Sequence, residues 1–413
     1  MPCHLLLSQI AKEVYLSPYK ETIPLMKQMK LLRLMTSTRS IGLINGQYHY
    51  LREHGIDVVV ATGGPHPSNM DFASLEGTPH RLVPHLVRPI SIWNDIRALF
   101  ELIKLIRREK PDVVHANTPK ASLLGITAAW WCRVPHRIYT VTGLRFQTAK
   151  GFFRWLLITM ERITCRLSTK VIPEGDGVAK TLRDERITRK PLKKLHNGNI
   201  NGIDLAHYDK SAIPISLLSQ TKSETSFSEE SFTFIFVGRI VKDKGICELV
   251  EAFTRLQQEH PDARLLLVGD FEQKLDPLPE DVYHTIQSHP AIYCAGWQDD
   301  VRPWFAAAEA LAFPSYREGF PNVVMQAGAM ELPCVVSDIN GCNEIIIEEE
   351  NGLIIPSHDV AALYQAMKRM MEDKALYTHC QQNARPLIAS RYKQEDVWQA
   401  TLEMYRSLTG EAK

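Results

Sequence analysis

Residues 310–329 read Ala-Leu-Ala-Phe313-Pro-Ser-Tyr-Arg-Glu318-Gly-Phe-Pro-Asn322-Val-Val-Met-Gln326-Ala-Gly-Ala. The apolar run at 310–313 predicts a buried strand. Pro321-Asn322 opens a segment with helical character, since proline is favoured in the first turn of a helix. An acidic residue and a glycine, Glu318 and Gly319, therefore occupy the turn between a strand end and a helix start.

This turn has the features of an anion site. The free N–H groups and the dipole at a helix start favour a phosphate, and Gly319 lets the backbone approach a ligand closely. Glu318 is then placed to accept hydrogen bonds from hydroxyl groups next to that phosphate. An ordinary strand-to-helix turn of an α/β protein is the alternative interpretation, so the other segments of the chain decide between them.

Strands and helices alternate on both sides of this stretch. In the first part of the chain, strands are predicted near 29–35, 56–61, 111–115 and 136–141, with helices near 46–54, 93–110 and 120–132. The pattern restarts with strands near 232–238, 263–269, 292–296, 310–313, 333–337 and 352–355 and helices near 245–259, 299–308, 322–330, 359–373 and 393–408. Such alternation predicts an α/β protein with parallel, doubly wound sheets.

The two series of elements predict two domains that meet near residue 200. We expect an N-terminal domain at 29–200 and a C-terminal domain that begins at 201. The stretch 211–231 is rich in Ser, Thr, Glu and Lys without periodicity, which predicts a mobile linker or insertion. Residues 1–28 show no clear core pattern and are interpreted as an extension, or as an upstream start, since Met29 begins a more natural first strand.

The composition restricts the class of protein. Hydrophobic residues at 45% and charged residues at 23% are ordinary for a soluble globular protein. No apolar run approaches the roughly 18 residues of a membrane span, and the N-terminus lacks the basic start and apolar core of a signal peptide. The eight cysteines are scattered without a Cys-x-x-Cys pair, which disfavours a zinc site and fits reduced thiols in the cytosol.

The net charge of +1 hides an asymmetry between the halves. Residues 29–200 carry 27 Lys and Arg against 13 Asp and Glu, whereas residues 201–413 carry 18 against 32. The halves should therefore meet different partners. The basic half shows no nucleic-acid signature, and an anionic membrane surface or an anionic acceptor suits it at least as well. Its segment 142–170 mixes bulky apolar and basic residues, which predicts either a membrane-surface segment or a core helix with a solvated basic face.

A second charged turn stands at Phe236-Val-Gly238-Arg239-Ile-Val-Lys242-Asp-Lys244-Gly245. A strand ends at Gly238, and cations follow in the loop that opens the next helix. The forked donors of Arg239 and the point charge of Lys244 suit a diphosphate. A solvated basic loop is the alternative.

A third segment, Pro111-Asp-Val-Val-His115-Ala-Asn117, ends a predicted strand. His115 and Asn117 are two residues apart and so point to the same side. This places a titratable group and an amide side by side at a strand end, where a histidine is more often structural.

Together these segments resemble the family 4 retaining glycosyltransferases over nearly all of residues 29–410. The family usually reads Glu-Gly-Phe, five residues and Glu, and Gln326 stands here at the second Glu. Its Gly-Arg-(four residues)-Lys-Gly pattern is matched at 238–245, and it often has His-x-His where His115 and Asn117 stand. The segments 196–204 and 338–352 resemble its Asn-Gly-Ile-Asp, Gly-x-x-Glu and Asn-Gly-Leu positions. We expect the first to be structural and Glu344 to fix a loop.

The resemblance implies the GT-B fold, in which two Rossmann-like domains face a cleft. The C-terminal domain would then span 201–390, and residues 391–413 would form a helix that returns to the N-terminal domain. The implied catalytic residues are Glu318, His115 and Asn117. The implied donor-binding residues are Gly238, Arg239, Lys244, Gly319, Phe320, Pro321, Asn322 and Gln326, with Gln326 in the ribose role.

The implied reaction moves a sugar from a nucleoside diphosphate to an acceptor hydroxyl with retained anomeric configuration. We expect a UDP-sugar as co-substrate, no cofactor and no metal. Bacterial enzymes of capsule, O-antigen or protein-glycan assembly are the most similar members, so an undecaprenyl-diphosphate-linked glycan is the expected acceptor. The expected location is the cytoplasm, at the inner face of the membrane. Two alternatives remain: a sugar-nucleotide epimerase of the same fold, or a non-catalytic subunit, which only Gln326 favours.

Overall fold

The computed structural model describes residues 28–64, 75, 77–225, 227–228, 230–272, 276–408 and 410. The N-terminal half contains the strands β1 (Lys30–Met35), β2 (Asp57–Gly63), β3 (His80–Val83), β4 (Val113–Ala116), β5 (His136–Val141) and β6 (Lys170–Pro173). They pair in parallel in the order β3-β2-β1-β4-β5-β6.

The C-terminal half contains the strands β7 (Phe232–Val237), β8 (Ala263–Val268), β9 (Ile292–Gly296), β10 (Ala310–Phe313), β11 (Cys334–Ser337) and β12 (Gly352–Ile355). They are also parallel, in the order β12-β11-β10-β7-β8-β9. The strand order reverses between β1 and β4 and between β7 and β10, and ligands of such sheets bind at the carboxyl ends of the strands there. The predicted α/β fold with two doubly wound sheets is confirmed.

Helices cover both sheets. In the N-terminal half these are α1 (Gln47–Glu53), α2 (Ile92–Glu109), α3 (Pro119–Trp131), α4 (Gly151–Leu167) and α5 (Asp176–Asp184). Those that follow are α6 (Ile215–Thr225), α7 (Ile246–Glu259), α8 (Glu280–Ser288), α9 (Arg302–Ala306), α10 (Asn322–Ala329), α11 (Cys342–Ile345), α12 (Val360–Glu372), α13 (Lys374–Tyr392) and α14 (Gln394–Arg406). Short 3-10 helices span Thr38–Ile44, Arg145–Gln147, Lys210–Ala212 and Lys242–Lys244.

The strands are apolar because both of their faces are covered. In β1, Leu32 and Leu34 pack in the cluster that includes α2 and α3. Leu31 and Met35 point to the other face, where they pack with α1 and with α14. This alternation is the two-residue period of a strand, and it explains why a parallel strand between two helical layers shows no polar face.

The last helix of the chain belongs to the N-terminal core. Leu402 and Tyr405 of α14 are fully buried and join the cluster formed by Leu31 and Tyr48. The chain thus crosses from the second half back to the first.

Asn-Gly turns hold the junction between the halves. The Asn199 side chain accepts hydrogen bonds from the backbone N–H groups of Asn201 and Gly202, each at 2.9 Å. The Asn201 side chain accepts one from Trp398 Nε1 at 2.7 Å, and Ile203 N–H donates to the Tyr392 carbonyl at 2.8 Å. This supports the structural role expected for the segment 196–204.

The structure adds an element that the sequence did not predict within residues 211–231. Residues 215–225 form the helix α6 after Pro214, and the assignment of the stretch as a linker or insertion stays a prediction. Thr221 is buried and Leu218 packs against the C-terminal core. Threonine and serine contribute little to an apolar period, so the pattern gave no sign of this helix. The predicted extension, residues 1–28, lies outside the described residues apart from Gln28.

Candidate active site

Glu318 lies in the turn between β10 and α10. Its carboxylate accepts a hydrogen bond from Lys244 Nζ and another from Ser315 Oγ, which is 3.0 Å from Oε1. The side chains of Glu318 and Lys244 are only 17% and 16% exposed. Lys244, which we expect to bind the diphosphate of a donor, therefore contacts Glu318, which we expect to bind hydroxyl groups beside that diphosphate.

The loop after β7 packs directly against this turn. Gly245 ends the loop with φ at +70°, and a Cβ atom there would lie 2.0 Å from the Pro314 carbonyl oxygen. Only glycine allows this approach. The approach places Lys244 Nζ 5.4 Å from the centre of the Phe313 ring. Arg239, near the start of the loop, pairs with Glu272 at 2.7 Å.

A cavity of about 100 Å³ lies between the two halves at this point. It is lined by Thr142, Gly143 and Leu144 from the N-terminal half and by Arg239, Asp243, Lys244, Arg317, Glu318 and Gly319 from the C-terminal half. A Cβ atom on Gly319 would lie 2.3 Å from the Thr142 carbonyl oxygen, so this position also requires glycine. The structure thus brings together Glu318, Gly319, Arg239 and Lys244, four of the predicted site residues.

Arg317 connects the two halves beside this cavity, and the sequence analysis did not select it. Its Nε donates to Thr148 Oγ1 at 3.0 Å, and its Nη2 lies 2.8 Å from Asp243. The sequence feature that could have identified Arg317 is its position directly before Glu318 in the same turn. The cavity is therefore lined by three cations, each already paired with a carboxylate.

Glu174 brings a buried carboxyl group to the same place from the N-terminal half. It directly follows β6 and is 6% exposed. Its Oε2 lies 2.6 Å from the position that a Gly319 Cβ would take. Burial, and then the charges of Glu318 and Glu344, raise its pKa well above the ordinary value. A neutral carboxyl group can donate as well as accept a hydrogen bond, so Glu174 is a further candidate for contact with a sugar hydroxyl.

His115 and Asn117 lie in a buried network rather than at the cavity surface. They are 2% and 1% exposed, and both contact Arg33, which is 1% exposed. Arg33 donates to Asn117 Oδ1 at 3.0 Å and to His115 Nδ1 at 3.1 Å. Because arginine only donates, Nδ1 accepts and Nε2 donates to Thr140 Oγ1 at 2.7 Å.

The environment keeps His115 neutral. Burial, and then the charges of Arg33 and Lys170, lower its pKa well below the ordinary value. The hydroxyl of Tyr405, from α14, completes the network 2.5 Å from His115 Nδ1. Both side chains are thus held within a buried network, and their catalytic roles stay a prediction. The sequence feature that could have identified Arg33 as part of this network is its charge in the middle of an otherwise apolar stretch.

The first turns of α10 are held by residues of the junction. Asn322 Oδ1 accepts a hydrogen bond from Asn199 Nδ2 at 2.8 Å. One turn later, Gln326 Nε2 donates to the Tyr208 hydroxyl at 2.7 Å. The amide oxygen of Gln326 thus keeps its capacity to accept hydrogen bonds, as the ribose role requires.

Phe320 contributes packing. It is 5% exposed and meets Tyr392 edge-on, with 5.4 Å between the ring centres. Pro321 precedes the helix with φ at −74°, as the sequence predicted for a helix start. Gly238 adopts φ at +151° at the end of β7.

Glu344 links the halves on the other side of the turn. Its two oxygens accept hydrogen bonds from the backbone N–H groups of Asp176 and Gly177, at 2.7 and 2.9 Å. These N–H groups begin α5, so a carboxylate of the C-terminal half caps a helix of the N-terminal half. The loop-fixing role expected for Glu344 agrees with this contact.

The described residues contain neither a metal centre nor a membrane-spanning helix. Within 28–410, apart from the gaps given above, no group of three His, Cys, Asp or Glu side chains is arranged to hold a metal ion. No helix in this part of the chain is long and apolar enough to cross a membrane. A wider surface depression of about 430 Å³ lies along β12 and α12 and includes none of the predicted site residues.

Comparisons with known proteins agree with this arrangement. Residues 44–198 match the model of the glycosyl transferase 4-like domain, and residues 231–373 match that of the glycosyl transferases group 1. The two models thus cover most of both sheets and both charged turns.

Curated relatives span almost the whole chain. A capsular polysaccharide biosynthesis glycosyltransferase, CapM of Staphylococcus aureus, is 29% identical over 94% of this chain and 100% of its own length. The UDP-Gal:alpha-D-GlcNAc-diphosphoundecaprenol alpha-1,3-galactosyltransferase of Escherichia coli is 27% identical over 84% of this chain and 88% of its own length.

Solved structures share the fold. HepE of Anabaena in complex with UDP-glucose has a TM-score of 0.74 at 19% identity and covers 92% of this chain and 100% of its own. WaaG, a glycosyltransferase of lipopolysaccharide biosynthesis, has a TM-score of 0.68 at 15% identity, over 91% of this chain and 99% of its own. At these identities the likeness establishes the GT-B fold and nothing about substrates.

Proposed function

The chain belongs to the family 4 glycosyltransferases with the GT-B fold, and we propose that it transfers a sugar from UDP to a lipid-linked glycan with retained anomeric configuration. The acceptor is a hydroxyl of a growing surface glycan carried on undecaprenyl diphosphate. The E. coli relative and a Campylobacter jejuni relative are named for acceptors of that kind, which supports this choice of acceptor.

The donor would lie on the C-terminal half. Departure of the nucleoside diphosphate leaves negative charge on its phosphates, and prearranged donors lower the barrier to that step. Arg239, Lys244 and the N–H groups at the start of α10 are the groups suited to this role. They act as the charge-stabilising groups of a reaction without a metal ion.

Glu318 and Gln326 would orient the rest of the donor. Glu318 accepts hydrogen bonds from sugar hydroxyls, and Gln326 accepts them from the ribose. Pockets for ligands of this size usually enclose about 300–1,000 Å³, more than the cavity between the halves. The donor therefore enters with a separation of the halves or an opening of the Lys244–Glu318 pair.

The N-terminal half would face the membrane. It carries the basic excess of the chain, and α4 exposes Phe152 and Trp155, which are 75% and 57% exposed and stack at 5.5 Å. Exposed aromatic rings beside basic residues suit a peripheral membrane segment. We therefore place the enzyme at the cytoplasmic face of the membrane, bound peripherally.

The contact of Lys244 with Glu318, beside Arg239 and against the backbone of the other half, is the observation that carries this proposal. The test is a screen of radiolabelled UDP-sugars with purified protein and bacterial membrane extract, with and without a chelator. We expect one sugar to enter the lipid fraction, undiminished by the chelator, and NMR of the product to show the donor's anomeric configuration.

Other outcomes would contradict the proposal. A UDP-sugar that is converted without any acceptor would indicate the epimerase alternative. Transfer to soluble glycans only would overturn the lipid-linked acceptor, and an inverted product would overturn retention.

A further inference from the structure

Four arginines interact electrostatically near the cavity between the halves, and two of them, Arg239 and Arg317, line it. Arg145 directly follows the cavity-lining residue Leu144. Burial, and then the charges of Arg317, Arg88 and Arg239, lower the pKa of Arg145, against a smaller opposite effect of the Asp243 carboxylate. Two of the four, Arg88 and Arg145, come from the N-terminal half, and two come from the C-terminal half.

Only the C-terminal pair is neutralised by bonded carboxylates. Arg239 pairs with Glu272, and Arg317 pairs with Asp243. Among the described residues, neither Arg88 nor Arg145 forms an ion pair. The N-terminal side of the cluster therefore carries two positive charges that repel each other. A ligand with at least two negative charges would relieve this repulsion, and the forked donors of arginine suit phosphate oxygens.

The fold fixes both arginines at the ligand-binding edge of the N-terminal sheet. Arg88 lies in the loop after β3, and Arg145 lies in the loop after β5. The carboxyl ends of parallel strands share one edge of a sheet. Lys120 anchors the first loop by donating to the carbonyl of Pro89 and to Asp95.

Exposed apolar side chains follow each arginine in sequence. Ile92 and Trp93, at the start of α2, are 73% and 77% exposed, and Phe152 and Trp155 stand at the start of α4. Helix α3 packs against both α2 and α4, so the two sets lie on the same side of the sheet. Two unpaired cations thus stand between the cavity and an apolar face, which matches a ligand with an anionic head and an apolar tail.

We propose that Arg88 and Arg145 bind the diphosphate of the lipid-linked acceptor, while the exposed side chains at the starts of α2 and α4 contact the bilayer that holds the lipid. This inference rests on the acceptor class proposed above. It separates two diphosphate sites: the donor's at Arg239 and Lys244, and the acceptor's at Arg88 and Arg145.

The test compares Arg88→Ala, Arg145→Ala and Arg145→Gln with the control Arg107→Ala. Arg107 is exposed in the last turn of α2, roughly 20 Å from the start of that helix at 1.5 Å per residue. Arg107→Ala removes one positive charge, as each of the other substitutions does. Circular dichroism checks that every variant is folded.

Kinetics use polyprenyl-diphosphate-linked N-acetylglucosamine with the donor found in the screen, and calorimetry measures the binding of UDP. We expect the KM for this acceptor to rise about tenfold or more in each Arg88 and Arg145 variant, as loss of about 1.4 kcal/mol or more would give. We expect the control to stay within about twofold of the wild type, and the Kd for UDP to be unchanged throughout.

The second part of the kinetic test uses a soluble glycoside of N-acetylglucosamine, which has no phosphate, as the acceptor. The Arg88 and Arg145 variants should use it as well as the wild type does. An unchanged KM for the lipid acceptor would overturn the inference, and so would an equal loss of UDP binding, which would assign the arginines to the donor. Failure of the wild type with every lipid-diphosphate acceptor would instead overturn the acceptor class itself.

Discussion

Lys244 and Glu318 form an ion pair between the loop that ends at α7 and the turn that begins α10. Each group neutralises the other in a site where both are more than four-fifths buried. A diphosphate that binds Lys244 and a sugar that binds Glu318 must therefore compete with a bond already made. Donor binding and the rearrangement of this pair should be one event.

Glu318→Ala should nearly abolish transfer while the protein stays folded. Loss of its contacts in the transition state should cost on the order of 2–4 kcal/mol, or roughly 30- to 1,000-fold in turnover. Transfer rates, with circular dichroism as the folding check, measure this. Glu251→Ala, which removes an exposed carboxylate from α7, is the control. Near-normal turnover in Glu318→Ala would remove the residue from the site.

Arg239→Ala and Lys244→Ala should weaken the binding of UDP far more than that of uridine. A hydrogen bond to a charged group contributes about 1.5–3 kcal/mol, so losses of roughly ten- to a hundredfold are expected for UDP alone. Calorimetric titration with both ligands measures this. Lys242→Ala, in the same loop but exposed, should change neither affinity. Equal effects on UDP and uridine would rule out the diphosphate role.

Gln326→Glu should preserve or improve the affinity for UDP. The Tyr208 hydroxyl, which now accepts from Gln326, can donate to a carboxylate instead. A carboxylate also accepts from two ribose hydroxyls more strongly than an amide oxygen does. Titration with UDP and 2′-deoxy-UDP measures this, and any gain should shrink with the deoxy ligand. Collapse of binding would show that the amide itself is required and that the ribose assignment is wrong.

The protein should bind anionic vesicles reversibly through the start of α4. Each cation near such a surface contributes about 1 kcal/mol, and rising salt should release the protein. Lys150→Glu combined with Phe152→Ala and Trp155→Ala should reduce flotation with vesicles and leave UDP binding intact. Arg154 and Arg162 are less suitable, because both bond to Glu185. Trp131→Ala, exposed at the end of α3, is the control. If neither the substitutions nor rising salt changes flotation, the start of α4 is an ordinary solvated surface that does not bind the membrane.

The contribution of Glu161 to the stability of the protein should fall as pH rises from 4.5 to 7. Burial raises the pKa of Glu161 from 4.5 to about 7, where it accepts a hydrogen bond from Tyr139 at 2.8 Å. A folded pKa above the unfolded one gives stability that is complete below the unfolded pKa and is lost as pH rises through the folded pKa. Relative to Glu161→Gln, the wild type should lose roughly 3 kcal/mol across this range. Denaturant unfolding at several pH values measures the difference, and parallel pH profiles would contradict it.

The sequence predicted what depends on local pattern. The strands β1, β7 and β10 are predictable because most of their residues are apolar. The turns at Glu318 and Lys244 are predictable because charged residues and glycine stand where the apolar runs end. The relation between those two residues could not be predicted, because it depends on the close packing of Gly245 against Pro314, 69 positions further along.

Three further features of the structure were not predicted from the sequence. Glu174 owes its raised pKa to burial at the contact between the halves and then to two carboxylates of the other half. Helix α13, which contains Pro386, was not predicted because proline normally ends a helix. Helix α6 was not predicted because its Ser-rich and Thr-rich face is buried only by tertiary packing.

The placement of Tyr405 in the first sheet's core has a consequence for synthesis. The ribosome completes β1 to β6 long before it adds α14, so the newly made N-terminal half has an apolar face that its own residues do not cover. That face also contains the Arg33 guanidinium, which Tyr405 contacts at 2.7 Å. The first half should therefore reach its final packing only after the last helix leaves the exit tunnel, which makes the two halves one cooperative folding unit despite their separate sheets.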